Sequence, residues 1–199
     1  MAQKNTTAYI ILGLLAHENS SGYDLKKEID HMISQFWDVG YGQLYPTLKM
    51  LEKEGSITGT AAQSEKGPNR IVYAITDAGK QKLINWLSLP NEKEYVRYEI
   101  LLKLFFGNLS SPTNTIKRIN AFQKQHEEDL QLIRSYKVNL ESAFEENRDH
   151  LYYYLTVLFG EHIYKAYLEW ANEALAFINK NIISEEDKKG FHYEASENS

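Results

Sequence analysis

The sequence predicts a mostly α fold with one small β-hairpin. It divides into an N-terminal winged helix-turn-helix and a C-terminal helical dimerisation domain. Three observations predict this. Apolar residues recur at helical spacing in three successive segments before Gly55. The period then switches to alternation in two short runs, Ser56 to Ala61 and Arg70 to Thr76, separated by a polar turn cluster. Beyond Leu89-Pro90-Asn91 helical spacing returns and holds to about Asn181.

Taken in order, residues 7–17 form a first helix. Tyr9, Ile10, Leu12, Leu14 and Leu15 make it apolar nearly all round, so it is expected to be deeply buried. Ser21-Gly22-Tyr23-Asp24 reads as a capping box that opens a second helix reaching about Ser34. Its inner face is marked by Leu25, Ile29, Met32 and Ile33. Phe36, Trp37 and Val39 lie in the connector to a third helix, "GYGQLYPTLKMLEKEG", expected to begin near Gly42 or Gln43. In the first turn of a helix the N–H groups have no intrahelical partner, so Pro46 would lose no bond there. Gly55 suits the stop. In the hairpin Ile71, Tyr73 and Ile75 alternate with Val72 and Ala74, and the tip is Gln63 to Asn69. Thr76 caps a fourth helix whose apolar stripe is Leu83, Ile84 and Leu87. The second half holds a helix over 92–106, a long helix starting at Ser111-Pro112 and reaching about Phe144, and a last helix from about His150 to Asn181. The expected boundaries are 1–89 for the winged module, 90–183 for the helical domain, and 184–199 for a polar, acidic tail without periodicity.

Composition narrows the function. The chain has 199 residues, 43% hydrophobic and 25% charged, as in an ordinary globular protein. It has no cysteine, which excludes disulfides and thiolate metal sites. Its start lacks the features of a signal peptide, and the apolar run Ala8 to Ala16 is far shorter than the ~20 residues that span a bilayer. A cytoplasmic protein without a membrane partner is expected. Residues 1–89 hold nine Lys and Arg against nine Asp and Glu, so the net charge of −5 falls on residues 90–199.

An acidic protein still binds nucleic acid when its cations share a face. At 100° per residue Leu44, Leu48 and Leu51 lie on one side of the third helix. Pro46, Lys49, Met50 and Lys53 fall on the other, flanked by Gln43 and Tyr45. Cations suit phosphates; amides and hydroxyls suit base edges in the major groove. The hairpin tip adds Lys66, Asn69 and Arg70, a composition fit to follow a backbone or a minor groove. Each feature alone also reads as plain solvation or as protection of a sheet edge. Their conjunction points to a double-stranded DNA operator.

The stretches "YIILGLLAHENSSGYDLKKEI", "FWDVGYGQLYPTLKMLEKEGSI" and "GPNRIVYAITDAGKQKLINWL" together resemble the PadR family of bacterial transcriptional regulators. The matching positions are Leu12, Gly13, Leu15, Ser21, Gly22, Tyr23, Asp24, Leu25, Phe36, Trp37, Tyr45, Pro46, Leu48, Leu51, Glu52, Gly55, Tyr73, Thr76, Gly79 and Lys80. The second half, through "RYEILLKLFF" and "YKAYLEWANEALAFI", resembles the helical Vir-type C-terminal domain of the longer members. The resemblance implies a dimeric repressor on a roughly palindromic operator, released in some members by phenolic acids or other small aromatics. It implies DNA contacts from Tyr45, Gln43, Thr47 and Lys49, with phosphates held by the wing. The family's recognition helix is often more basic, and Met50 stands where the resemblance commonly has Lys or Arg.

In the second half Ile116, Ile119, Leu130, Ile133, Leu140 and Phe144 approach a heptad register broken by Gln123, His126 and Lys137, which reads as helix packing between protomers. A single winged module reads one half-site, so a two-fold homodimer is expected. The last helix concentrates aromatics. Tyr153, Tyr154, Tyr167 and Trp170 are candidates for an effector pocket with phenol handles. The preferred reading of the same residues is helix and dimer core, since aromatic stripes at helical spacing are commonly packing. Enzymatic readings find no support: no glycine-rich phosphate loop, no nucleophile elbow, and six scattered histidines. His126-Glu127-Glu128-Asp129 and Glu161-His162 put unlike groups side by side, but adjacent helical residues do not face one another, so no metal and no cofactor is expected. A rival reading keeps the winged module and makes it a protein-interaction domain without sequence-specific DNA binding.

Overall fold

A computed structural model of the chain describes residues 5–62, 70–91, 96–145 and 147–181. The chain separates into two compact units, residues 1–94 and 95–199.

In the first unit α1 (Thr6–His17) buries Ala8, Ile11, Leu12 and Leu15. Ser21 then does two jobs. It caps α2 (Gly22–Glu28) by accepting the Asp24 N–H at 3.2 Å, and its own hydroxyl donates to the Asp24 carboxylate at 2.7 Å. With Ser20 it also forms a short strand, β1 (Ser20–Ser21), which sequence periodicity does not reveal. The second helix does not continue as a regular α-helix to Ser34. A π-helical turn spans Ile29–Ile33, with the Ser34 N–H reaching the Ile29 carbonyl at 2.9 Å. The wider turn rotates each residue by less than 100°, so Met32 leaves the inner face and is 44% exposed, while Ile29 stays buried.

α3 (Tyr41–Lys53) starts earlier than the sequence suggests, with Gly40 at its N-cap. Pro46 is therefore the sixth helical residue, not part of the first turn. It cannot supply the N–H that the Gly42 carbonyl would take. Gly42 is exposed, so water can serve that carbonyl. Leu44, Leu48 and Leu51 are fully buried and carry the helix onto α1 and α2. Gly55, at φ +72°, turns the chain into β2 (Ile57–Ala62). β3 (Arg70–Ile75) pairs antiparallel with it, Ile57 opposite Ile75 and Ala62 opposite Arg70. β1 pairs with the other edge of β3, Ser20 opposite Tyr73. The sheet thus has three strands in the order β1-β3-β2 among the described residues, where a two-stranded hairpin is expected from sequence. Thr76 caps α4 (Asp77–Leu87), accepting the Gly79 N–H at 3.1 Å. α4 lies on α1, with Trp86 stacked on Tyr9 at 4.5 Å between ring centroids. Leu83 packs against the core, but Ile84 and Leu87 are exposed.

The second unit opens with α5 (Glu99–Phe105), which begins later than the predicted helix; part of that predicted span, residues 92–95, lies outside the described residues. A 3-10 turn, Gly107–Leu109, leads to α6 (Pro112–Ser142). Ser111 caps α6 and Pro112 occupies its first turn, as the sequence predicts. α6 and α7 (Asp149–Asn181) run antiparallel, with Gln123 opposite Asn172 and Lys137 opposite Glu161. Ile116 and Ile119 pack with Ala171 and Ile178 of the same chain. Ile116 and Ile119 of the α6 row therefore find partners within their own chain. Glu161 is buried on α7 and takes Lys137 at 2.8 Å, Lys165 at 2.6 Å and Arg134 at 3.6 Å. No helix among the described residues is long and apolar enough to cross a membrane.

Candidate nucleic-acid interface

The outer face of α3 presents Gln43, Tyr45, Pro46, Lys49 and Lys53, all exposed. Lys49 and Lys53 pair with no carboxylate among the described residues, so both are available to an anion. Burial of the three leucines on the opposite side fixes this orientation. Tyr45 rests on Gly22 of α2: a Cβ added there would lie 2.8 Å from the ring's Cε1. The absence of a side chain at position 22 is what lets the ring lie flat on α2. Tyr45 also stacks on Tyr41 at 6.1 Å, and Lys26 sits 5.4 Å from the Tyr41 ring centroid.

Arg70 stands at the tip end of the paired strands, opposite Ala62, exposed, with Nη1 3.4 Å from the Asp24 carboxylate. Asp24 is held below the usual carboxylate range, chiefly by the Ser21 hydroxyl and secondarily by Arg70. At neutral pH it is an anion that tethers the tip end of β3 to α2. Lys82 neutralises Glu54 at 2.6 Å, removing one carboxylate from the end of α3.

Two residues differ from the sequence reading. Thr47 is 5% exposed, and its hydroxyl accepts from Asn5 Nδ2 at 3.3 Å. It anchors α3 to the start of α1 and does not sit on the outer face. Met50, also assigned outward, is half-buried and packs against the core. A 100° wheel puts Thr47 beside the leucine face but Met50 well away from it, and α1 covers more of α3 than a wheel can show. Lys66 and Asn69 lie outside the described residues.

The second unit does not gather the four pocket candidates. Tyr167 and Trp170 flank Phe122 at 5.6 and 5.4 Å. Tyr153 and Tyr154 lie further toward the start of α7, where Tyr154 packs on Phe144 at 5.2 Å and donates to Glu141 at 3.0 Å. The group around Tyr167 includes Tyr98, which sequence reasoning passed over, and His126, which it placed in no pocket. Tyr98 Oη is 2.6 Å from Tyr167 Oη, and His126 contacts the Phe122 ring at 4.2 Å. His126 Nδ1 is 2.9 Å from Asp129, an i, i+3 pair inside the "HEED" stretch that does face together. Burial, then the bond to Tyr98, raises the Tyr167 phenol well above its ordinary range, so it is a neutral hydrogen-bonding group. No group of three or more His, Asp or Glu among the described residues is placed to hold a metal ion.

Residues 11–85 match the model of the transcriptional regulator PadR-like family, and residues 96–179 match the virulence activator alpha C-terminal model. The negative transcriptional regulator PadR of Bacillus subtilis is 33% identical over 178 residues, 87% of this chain and 97% of that protein. The crystal structure of B. subtilis PadR in complex with operator DNA superposes with a TM-score of 0.80 at 29% identity, covering 89% of this chain and 99% of that one. The same relative in complex with p-coumaric acid superposes at 0.66, also 29% identical, covering 86% and 98%.

Proposed function

The chain belongs to the PadR-like family of transcriptional regulators, and from that premise we propose that it is a repressor that binds an operator duplex through α3 and the β2–β3 wing. It acts as a two-fold homodimer on a roughly palindromic site, and a small aromatic effector releases it. One observation carries the reading. The cations Lys49 and Lys53, unpaired among the described residues, stand on the exposed side of a helix whose other side is locked into the core. A major groove admits such a helix, and phosphates accept such cations. Gln43 and Tyr45 are the base-edge candidates, and Arg70, with Lys66 and Asn69 of the wing tip, the backbone candidates. The relative solved with operator DNA supports this assignment. The relative solved with p-coumaric acid supports the effector.

The test is fluorescence anisotropy with duplex from the region upstream of the protein's own gene, repeated across salt concentrations. Log affinity should fall linearly with log salt. Lys49→Ala and Arg70→Ala should each weaken binding on all sequences and reduce the slope by about 1. Absence of binding at low salt, or a flat salt response, would overturn the DNA reading. Adding p-coumarate should weaken operator binding; an unchanged isotherm counts against the effector.

A further inference from the structure

Three attachments meet at the start of α2. Ser21 pairs with Val72 of β3. Gly22 seats the Tyr45 ring of α3. Asp24 takes Nη1 of Arg70 at 3.4 Å. The outer face of α3 and the tip end of β3 are thus both referred to the same short stretch, Ser21 to Asp24. β1 ends at Ser21, so its ladder with β3 stops at Val72, two residues short of Arg70. Beyond that point the Asp24 carboxylate reaches across to β3.

Asp24 is suited to hold a guanidinium without using it up. Its Oδ2 also accepts from the Ser21 hydroxyl at 2.7 Å, so the carboxylate is fixed from its own side. A guanidinium carries five N–H donors on a planar fork, so one edge on Asp24 leaves another for a phosphate. The Arg70 and Asp24 side chains are 59% and 42% exposed, and a pair so wet adds little stability. What it supplies is direction, since a long side chain that otherwise samples many rotamers is held toward one. We propose that Asp24 is a positioning residue for operator recognition: through Arg70 it sets the place of the wing cation relative to Tyr45. The inference rests on the DNA reading above. Phosphate contacts carry no sequence information themselves, but they set the register in which base edges are read. A loose Arg70 finds a phosphate on any duplex. A held one meets its phosphate when the duplex lies in register on α3, and no ordering of the side chain is then left to offset.

The experiment compares the full chain on two duplexes by anisotropy across salt: the upstream region of its own gene and a scrambled sequence of the same length. Asp24→Asn keeps an acceptor for the Ser21 hydroxyl and removes the charge that holds Arg70. It should weaken upstream binding about 5-fold, the scale of re-ordering one long side chain, without weakening the scrambled duplex or changing the salt slope. Asp24→Glu, which restores the carboxylate, should recover the loss. Added to Arg70→Ala, Asp24→Asn should cause no further loss, because nothing is left to position; a damaged helix cap would still cost affinity there. An equal gain on both duplexes would show that Asp24 merely repels phosphates and would overturn the proposal. So would an unchanged ratio of the two affinities, or a further loss in the double variant. Unmodified protein that binds neither duplex overturns the DNA reading and this inference with it. If Asp24→Asn fails to fold, Arg70→Lys decides. It keeps the cation but not the two-edged fork, and should show the same upstream loss at unchanged slope. Unchanged upstream affinity in Arg70→Lys then overturns the proposal.

Discussion

Gly79 and Gly22 are both glycines in the first turn of a helix, and their surroundings set different outcomes for a single added methyl. At Gly79 a Cβ would lie 2.1 Å from the Ser56 carbonyl oxygen, a backbone atom fixed by the Thr76 hydroxyl and N–H. Neither side can yield, so Gly79→Ala should cost about 3 kcal/mol, seen as a lower urea midpoint for the first unit. An unchanged midpoint would show that α4 slides freely. At Gly22 the obstacle is the edge of the Tyr45 ring, which is 43% exposed and can swing outward. Gly22→Ala should therefore lower the midpoint less but move the Tyr45 hydroxyl. Operator affinity should fall several-fold with the salt slope unchanged, because no phosphate contact is lost. Loss of slope instead would mean that the whole helix had moved. The outward set Gln43, Tyr45, Lys49 and Lys53 was legible in the sequence because leucines four and three residues apart fix the inner side. Thr47 was not, because its partner Asn5 is far away along the chain and belongs to a different helix cap.

At the scale of elements, helices with strong caps were legible and elements defined by partners were not. Ser21, Thr76 and Ser111 each cap where the residue pattern places them. β1 has two residues, too few for any period, and exists only because β3 offers an open edge. The π turn at Ile29–Ile33 preserves the same apolar letters while changing which of them point inward. α6 and α7 were legible as helices, but not as partners of each other, since cross-helix pairs leave no local spacing. Glu161 shows what that hides. Its carboxyl is lowered to about 2, first by the hydrogen bond from Lys137 and then by that from Lys165. A depressed carboxylate stabilises the fold fully above its unfolded value, 4.5, and the contribution disappears as pH falls through about 2. Glu161→Gln should thus cost about 1.5 kcal/mol at pH 7, the lower end for charge-assisted bonds because Lys165 and Arg134 stay half-exposed. The difference from the unmodified protein should narrow between pH 4.5 and pH 2. A constant difference across that window would show that packing, not charge, explains the loss.

For the whole molecule, the proposed homodimer requires an exposed surface of the second unit. Ile116 and Ile119 of α6 pack on Ala171 and Ile178 of α7 within the chain, so these two are already covered. Among the exposed apolar residues of the second unit is a separate row on α7: Leu151, Leu155 and Phe159, at 46%, 60% and 66% exposure, spaced four residues apart. Val138 of α6 adds a further exposed apolar side chain, at 65%. Contiguous apolar surface of this kind marks a protein interface more often than a free face. Phe159→Glu should place a charge at the centre of that row without touching the α6–α7 core. Sedimentation at micromolar concentration should then give a monomer with unchanged helicity. Operator binding should weaken about 100-fold or more, because one half-site no longer raises the effective concentration at the other, while binding to an isolated half-site should be unaffected. A variant that stays dimeric moves the interface off this row of α7. A monomer that keeps full operator affinity removes the two-fold operator from the proposal and leaves the single α3–wing surface as the whole of the DNA contact.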